Sequence, residues 1–301
     1  MDKILHLKPK DDFFYVENTP QINITRRLVS PKATPNIVII GIKDFSIKDL
    51  ESKKMPCINK FQHENLNFMK HIPAGNTESE NIFAILYGLP INYLPSILSH
   101  QNYPFLFQWL EEHGYTLITE PPQFLYPFEN HTKINTRNPQ NIISKKLISP
   151  FFIFYEFSID KEHQLISYAN IEEKISHLLK TLESTNQYQK TIIILTSLSN
   201  EGASYIPFLM HWPQIPHQDI QSISSHYDIL ATLTQHSLNS PFGLNLLELK
   251  NNRIIPTKIN ASFLQIISNA NHISYQPLMN YSEYQTLLNQ YAPTKEDIHE
   301  S

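Results

Sequence analysis

Apolar residues along the chain fall into short, nearly continuous runs, and longer segments with helical periodicity separate these runs. The first run, Asn36–Ile42, is rich in β-branched residues and lies between Pro35 and the polar pair Lys43-Asp44. Such a run is typical of a strand that is buried on both faces of a parallel sheet. Similar runs, which predict further strands, occur at Tyr115–Glu120, Phe151–Phe157, Thr191–Thr196 and Ile206–Trp212.

Helical patterns lie between the predicted strands. Thr77 and Glu80 form a Thr-x-x-Glu capping box, which predicts a helix that continues through Asn81–Tyr87 and stops at Gly88. Further helices are predicted at Pro104–His113, Asn170–Ser184 and Ser225–His236. Strands that alternate with helices predict an α/β domain whose central sheet is mainly parallel.

The predicted organisation has three parts. Residues 1–35 are polar and contain several prolines, and we expect an extended lead-in segment there. Residues 36–253 carry the alternating strands and helices of the α/β domain. In residues 254–301 the pattern changes to short strand-like pieces and a polar tail, which we expect to complete the domain.

Composition narrows the function classes. The chain has 301 residues, of which 41% are hydrophobic, and its 24 Lys+Arg against 28 Asp+Glu give a net charge of −4. This is the composition of a folded protein, and an acidic balance without a dense basic stripe argues against a nucleic-acid partner. The single cysteine, Cys57, excludes an internal disulfide and a thiolate metal cluster. We expect no signal peptide and no membrane helix in this chain, because Met1–Lys10 lacks an apolar core and no apolar run approaches about 18 residues.

The candidate site residues are those that come directly after the predicted strands, because sites in open α/β sheets form beyond the carboxyl ends of the strands. Lys43 and Asp44 follow the first strand, and Thr77 lies at a predicted helix N-terminus, where backbone N–H groups favour an anion. The Thr77 hydroxyl is either a nucleophile activated by a metal or a base, or only the N-cap of the helix. Three single histidines are interpreted as interior or capping residues: His71, His211 and His226.

The order and spacing of several segments resemble the sulfatase/alkaline-phosphatase superfamily, and more narrowly the periplasmic domains of its inner-membrane members. The segments that carry the resemblance, within about residues 20 to 250, are Asn36–Ile42, Met55-Pro56, Phe68–Leu89, Ile206–Pro213 and Ser225–Leu233. The resemblance implies a three-layer α/β/α sandwich with a mainly parallel sheet and a small C-terminal β-rich extension.

The resemblance also implies which residues stand at the catalytic positions. Active members hold one or two metal ions with an acidic residue that ends the first strand and an Asp-His pair that ends a later strand. These positions are occupied here by Lys43 and by Leu198-Ser199, while Thr77 stands at the nucleophile position. A lysine ammonium offers no lone pair, and it repels a dication by on the order of 8 kcal/mol at about 4 Å and an effective dielectric of about 20.

The sequence leaves three functional hypotheses. The first is a catalytically inactive sulfatase-like domain without a metal or other cofactor, in which Lys43 takes the space of the lost ion beside Thr77 and Asp44. The second is a phosphate- or sulfate-ester hydrolase, or a phosphoethanolamine-type transferase, that uses Thr77 with Zn or Mg held by Asp44 and histidines. A third hypothesis is a plain structural domain of a longer membrane protein.

The resemblance implies partners and a location as well. Arg26 and Arg27 match a segment that contacts lipid A in the related proteins, so they are either a phosphate clamp or a solvated pair. The implied role is in lipopolysaccharide and envelope lipid homeostasis, with a regulatory protein of the lipid A pathway as a partner. The implied location is the periplasmic face of the inner membrane, with this chain as a fragment of a longer protein.

Overall fold

A central sheet of seven strands organises the structure, a computed structural model that describes residues 34–99, 103–119, 149–199, 203–235, 242–249, 253–259, 262–269 and 272–277. The strands of the described chain are β1 Asn36–Lys43, β2 Leu66–Phe68, β3 His71–Ile72, β4 Thr116–Thr119, β5 Phe151–Ser158, β6 Thr191–Ser197, β7 Phe208–His211, β8 Gln218–Ile220, β9 Ser224–Ser225, β10 Arg253–Ile259, β11 Ser262–Asn269 and β12 His272–Pro277. The helices are α1 Ile47–Glu51, α2 Pro56–Glu64, α3 Glu78–Tyr87, α4 Leu94–Ser99, α5 Phe105–Glu112, α6 Gln164–Ser184 and α7 Tyr227–Leu233.

The central sheet has the order β4-β5-β1-β6-β7-β2-β8. Its first four strands are parallel to one another, whereas β7 is antiparallel to both β6 and β2 and β8 is parallel to β2. The prediction of a mainly parallel sheet is therefore confirmed. The C-terminal strands β10, β11 and β12 form an antiparallel sheet of their own, and β3 pairs with β9.

Successive residues of β1 point into two different cores, because side chains alternate between the faces of a strand. Ile37 and Ile39 pack into a core that includes residues of α3, α5 and α7. Val38 and Ile40 pack into a second core on the opposite face, which includes residues of α2 and α6. Helices thus cover both faces of the sheet, and the predicted α/β sandwich is confirmed. The unbroken apolar run of β1 is the consequence of this double burial.

Helix α6 starts earlier than the sequence pattern predicts. The prediction placed its first residue at Asn170, whereas the helix begins at Gln164. Its buried stripe starts at an aromatic residue, Tyr168, which continues the spacing of Ile171, Ile175, Leu178 and Leu182. The aliphatic part of this stripe begins only at Ile171, so aliphatic periodicity alone does not indicate the first turns.

The end of β1 approaches the residue that follows β6 very closely at Gly41. A Cβ atom added to Gly41 would lie 2.5 Å from Leu198 Cδ1 and 2.7 Å from Leu198 Cγ. Leu198 is fully buried, so its side chain has little space into which it can move. Glycine at position 41 therefore allows the ends of these two strands to meet beneath the site.

We expect Gly41→Ala to destabilise the protein by about 1–3 kcal/mol, because the added methyl group overpacks this contact. The measurement is the free energy of unfolding from urea titration. Leu198→Ala removes the atoms that the new Cβ would touch, so the double variant should lose less stability than the sum of the two single losses. Strictly additive losses would show that Leu198 is not what excludes a side chain at position 41.

Candidate functional site

The carboxyl ends of β1 and β6 meet the start of α3 at one edge of the central sheet. Leu198, just after β6, donates its backbone N–H to the carbonyl oxygen of Ile42 in β1 at 3.0 Å. Lys43 is the last residue of β1, and Thr77 is the N-cap of α3. The structure thus brings the predicted residues Lys43, Asp44 and Thr77 to the same edge.

The Lys43 ammonium lies beside the first residue of α3. Its Nζ is 3.7 Å from Oε2 of Glu78, and the two side chains are 45% and 26% exposed. Because Glu78 directly follows Thr77, this ion pair places a cation near the start of the helix. Water screens a pair with this exposure, so its contribution to stability is about 1 kcal/mol or less.

Asp44 makes its polar contacts with Ser199. Its backbone N–H donates to the Ser199 hydroxyl oxygen at 2.8 Å, and that hydroxyl donates to Asp44 Oδ1 at 2.8 Å. Asp44 has a φ of 59°, a left-handed conformation that Asp adopts more readily than most residues. This turn directs the carboxylate toward the end of β6, where the resemblance aligns Ser199 with a metal-binding histidine.

Thr77 is a helix cap in the structure. Its side-chain oxygen accepts a hydrogen bond from the backbone N–H of Glu80 at 3.4 Å, and Oε2 of Glu80 accepts from the backbone N–H of Thr77 at 3.0 Å. The capping box predicted from the sequence is therefore confirmed, as is the stop at Gly88, which has a left-handed conformation. Thr77 itself is exposed, so a ligand can reach its hydroxyl.

Asn81 connects the loop before α3 to the end of β6. The sequence analysis did not identify it as a site residue. Its Nδ2 group lies within hydrogen-bond distance of the carbonyl oxygens of Gly75 (3.0 Å), Thr77 (3.0 Å) and Leu198 (2.8 Å). Its Oδ1 accepts from the backbone N–H of Gly75 at 3.1 Å. One buried amide therefore holds the loop before α3 against the end of β6. Asn81 lies one helical turn after the cap residue Thr77 and on the same face of α3, and this spacing could have identified it as a site residue.

His226 extends this hydrogen-bond network to α7. Its Nδ1 lies 3.0 Å from Asn81 Oδ1, and its Nε2 lies 3.1 Å from the Thr196 hydroxyl. Because the Asn81 oxygen accepts, we assign the proton to Nδ1 and an accepting role to Nε2. His226 is fully buried, and this burial lowers its pKa to about 3, so the imidazole is neutral.

The other histidines that the sequence singled out also lie in the interior. His71 is buried, stacks on Phe208 with ring centroids 4.0 Å apart, and has its Nδ1 2.8 Å from the Ser224 hydroxyl. His211 lies in β7 with its Nδ1 2.7 Å from Asn65 Oδ1, and burial lowers its pKa to about 4.

The donor set at this edge does not match a divalent metal ion. A hard cation needs several oxygen ligands, and a zinc ion needs about four nitrogen, sulfur or oxygen ligands. Lys43 brings a positive charge to this edge, and the Asp44 carboxylate accepts from Ser199. Across the described ranges, no group of three His, Cys, Asp or Glu side chains is arranged to hold a metal.

Comparisons with known proteins agree on the fold. A protein of the alkaline phosphatase superfamily from Vibrio parahaemolyticus superimposes with a TM-score of 0.58 at 14% identity, covering 93% of this chain and 94% of that chain. A 2-O GAG sulfatase superimposes with a TM-score of 0.58 at 11% identity, covering 85% and 90%. The chain has the fold of the sulfatase/alkaline-phosphatase superfamily. At these identities the structural likeness establishes the fold alone.

In sequence, the chain is similar to the inner membrane protein YejM of Salmonella typhi, with 23% identity over 245 residues. An uncharacterised protein of Haemophilus influenzae is 24% identical over 258 residues. These matches cover 68% and 72% of this chain but 42% and 44% of the relatives, so the chain spans less than half of their length. No protein-family model matches the chain. The resemblance to an inner-membrane member of this superfamily, predicted from the sequence motifs, is confirmed.

Two further expectations concern parts of the chain other than the sheet edge. Arg26 and Arg27, the predicted lipid-binding pair, lie outside the described residues. Among the helices of the described ranges, none has both the length and the apolar character needed to cross a bilayer.

We expect the stability of the protein to fall as the pH falls from 7 to 5, in part because of His226. Its pKa is about 3 in the folded state and about 6.5 in an unfolded chain, so the unfolded state binds more protons between these values. This difference should cost about 2 kcal/mol of unfolding free energy over that interval. In His226→Gln the loss should be smaller by that amount, measured by urea titration at both pH values. The exposed His177→Gln is the control and should lose as much as wild type; an unchanged pH dependence in His226→Gln would contradict the assignment.

Proposed function

We propose that this protein is a catalytically inactive domain of the sulfatase/alkaline-phosphatase fold that acts by binding, in lipopolysaccharide and envelope lipid homeostasis. The observation that carries the first part is the set of contacts made by Lys43 and Asp44. Lys43, the last residue of β1, forms an ion pair with Glu78, and the carboxylate of the next residue, Asp44, accepts a hydrogen bond from Ser199. The site therefore has an internal cation in the place where a catalytic relative would need an anionic ligand.

The state of the Thr77 hydroxyl supports the same proposal. A hydroxyl becomes a nucleophile when a base removes its proton or a metal lowers its pKa. The contact that the structure gives the Thr77 oxygen is with the backbone N–H of Glu80, which is a donor and cannot take a proton. Thr77 is thus used as a cap for α3, and its exposure alone does not activate it.

The similarity to YejM, an inner membrane protein, supports the second part of the proposal. We place the domain on the periplasmic face of the inner membrane and assign Arg26 and Arg27 to the phosphate groups of lipid A, because a guanidinium fork matches phosphate geometry. A bound lipid would then be reported to a regulatory protein of the lipid A pathway. In this scheme the alkaline-phosphatase fold serves as a scaffold for recognition.

We expect the purified wild-type chain to bind neither zinc nor magnesium stoichiometrically and to hydrolyse no aryl phosphate or aryl sulfate above background. Metal content is measured by elemental analysis after dialysis against each ion, and turnover is measured by release of the coloured phenol. Removing the repelling charge in Lys43→Asp should raise divalent-ion affinity, detected as a metal-dependent rise in Tm. The exposed Lys48→Asp makes the same charge change in α1 and should show no such rise.

The alternative hypothesis, a metal-dependent hydrolase or phosphoethanolamine-type transferase that uses Thr77, makes opposite predictions. It requires metal-dependent turnover in wild type that Thr77→Ala abolishes and that Thr77→Ser, which keeps the hydroxyl, retains. Either that pattern or a stoichiometric metal in wild type would refute the proposal of an inactive domain.

We expect lipopolysaccharide to bind to wild type and to bind at least about tenfold more weakly to Arg26→Ala/Arg27→Ala, because two phosphate contacts are lost. Affinity is measured by titration with lipopolysaccharide in detergent micelles, with empty micelles as a blank. Lys53→Ala/Lys180→Ala removes two exposed positive charges elsewhere and is the matched control. Wild-type binding should weaken as salt rises, because the contacts are ionic. Equal affinity in the arginine variant and wild type would remove the lipid-binding role of this pair.

A further inference from the structure

The carboxylate of Glu80, a residue of α3, binds to the backbone of the loop that precedes this helix. Glu80 is 7% exposed, and its Oε2 accepts hydrogen bonds from the backbone N–H groups of Asn76 at 2.8 Å and Thr77 at 3.0 Å. An ordinary capping box uses one of these bonds, from the N-cap N–H to the glutamate. Here the carboxylate spans two successive N–H groups, which is the arrangement that binds one oxygen of a phosphate or sulfate at a helix start.

Gly75 shows how completely this carboxylate fills the loop. A Cβ atom on Gly75 would lie 2.5 Å from Glu80 Oε2 and 2.6 Å from Glu80 Cβ. Non-bonded atoms do not approach so closely, so no side chain larger than hydrogen fits beside the glutamate. The backbone N–H of Gly75 is also satisfied internally, by Asn81 Oδ1 at 3.1 Å. The loop and the carboxylate are therefore packed as one unit.

We propose that Glu80 is an internal ligand of the loop at residues 75–77, whose carboxylate keeps phosphate and sulfate off the backbone N–H groups beside Thr77. This autoinhibitory contact deepens the proposed function and rests on it, since a loop closed by its own anion suits a protein that does not turn over phosphate or sulfate esters. In this proposal, the Lys43 ammonium takes the place of a metal ion, and the Glu80 carboxylate takes the place of the phosphate or sulfate group of a substrate.

The competition between Glu80 and a free anion favours Glu80. The carboxylate is tethered one turn into the same helix, so its effective concentration at the two N–H groups is that of an intramolecular ligand and exceeds millimolar free phosphate. Its two hydrogen bonds are charge-assisted, and the positive end of the helix dipole stabilises it. A free anion must displace this group into solvent.

The test is a titration of the full chain with inorganic phosphate and, separately, sulfate, at constant ionic strength. The measurement is the change in the backbone amide resonances of Asn76 and Thr77 in nitrogen–proton correlation spectra. In Glu80→Ala we expect saturable shifts at both amides, with a half-saturation concentration at least about tenfold lower than any binding by wild type. The exposed Glu183→Ala in α6 removes the same charge at a distance and should behave as wild type.

Glu80→Gln provides a second variant in case Glu80→Ala does not fold. The amide keeps the size of the carboxylate but loses its charge, so phosphate should displace it more easily than it displaces the wild-type side chain. Shifts of equal size in wild type and in the variants would overturn the inference, and so would a folded variant that shows no shift. Neither result would alter the metal and turnover measurements, so a failure here is distinguishable from a failure of the proposed function.

Discussion

The geometry of the candidate site depends on the hydrogen bonds of one buried side chain, Asn81. Its amide contacts the carbonyl oxygens of Leu198 after β6 and Gly75 before α3, and its oxygen contacts His226 at the start of α7. Water does not reach these groups, so each partner left unsatisfied would cost about 1–3 kcal/mol. The three elements are therefore fixed relative to one another, and the positions of Lys43 and Thr77 follow from that frame.

The charged groups around this frame have partners inside the chain. Lys43 pairs with Glu78, Asp44 accepts from Ser199, and Glu80 accepts from the start of α3. In a metal-dependent site the carboxylates would repel one another until an ion arrived to neutralise them. Here a lysine ammonium balances one carboxylate, and hydroxyl and backbone N–H donors hold the other two by hydrogen bonds. These contacts hold the shape of this edge of the sheet.

The sequence predicted the sheet and most of its helices because both depend on local patterns. The unbroken run in β1 indicated burial on two faces, and the capping box at Thr77 located the start of α3; the structure has both. The contacts of Asn81 and the bond between Glu80 and the Asn76 N–H were not predictable in the same way, because they depend on where the end of β6 and the loop at Gly75 lie in space. The left-handed turn at Asp44 was missed for a related reason: its direction is set by Ser199, which is distant in sequence.

The relation between stability and activity gives this arrangement a physical rationale. Catalytic sites retain strained or unsatisfied groups because those groups are needed in the transition state, and this requirement lowers stability. At the described edge of this sheet, Lys43 pairs with Glu78, Asp44 accepts from Ser199, and the backbone N–H of Thr77 donates to Glu80. Under the proposal of an inactive domain, each contact satisfies a group that a catalytic site would keep available. A domain under selection for a fixed surface, rather than for turnover, would accumulate this kind of replacement.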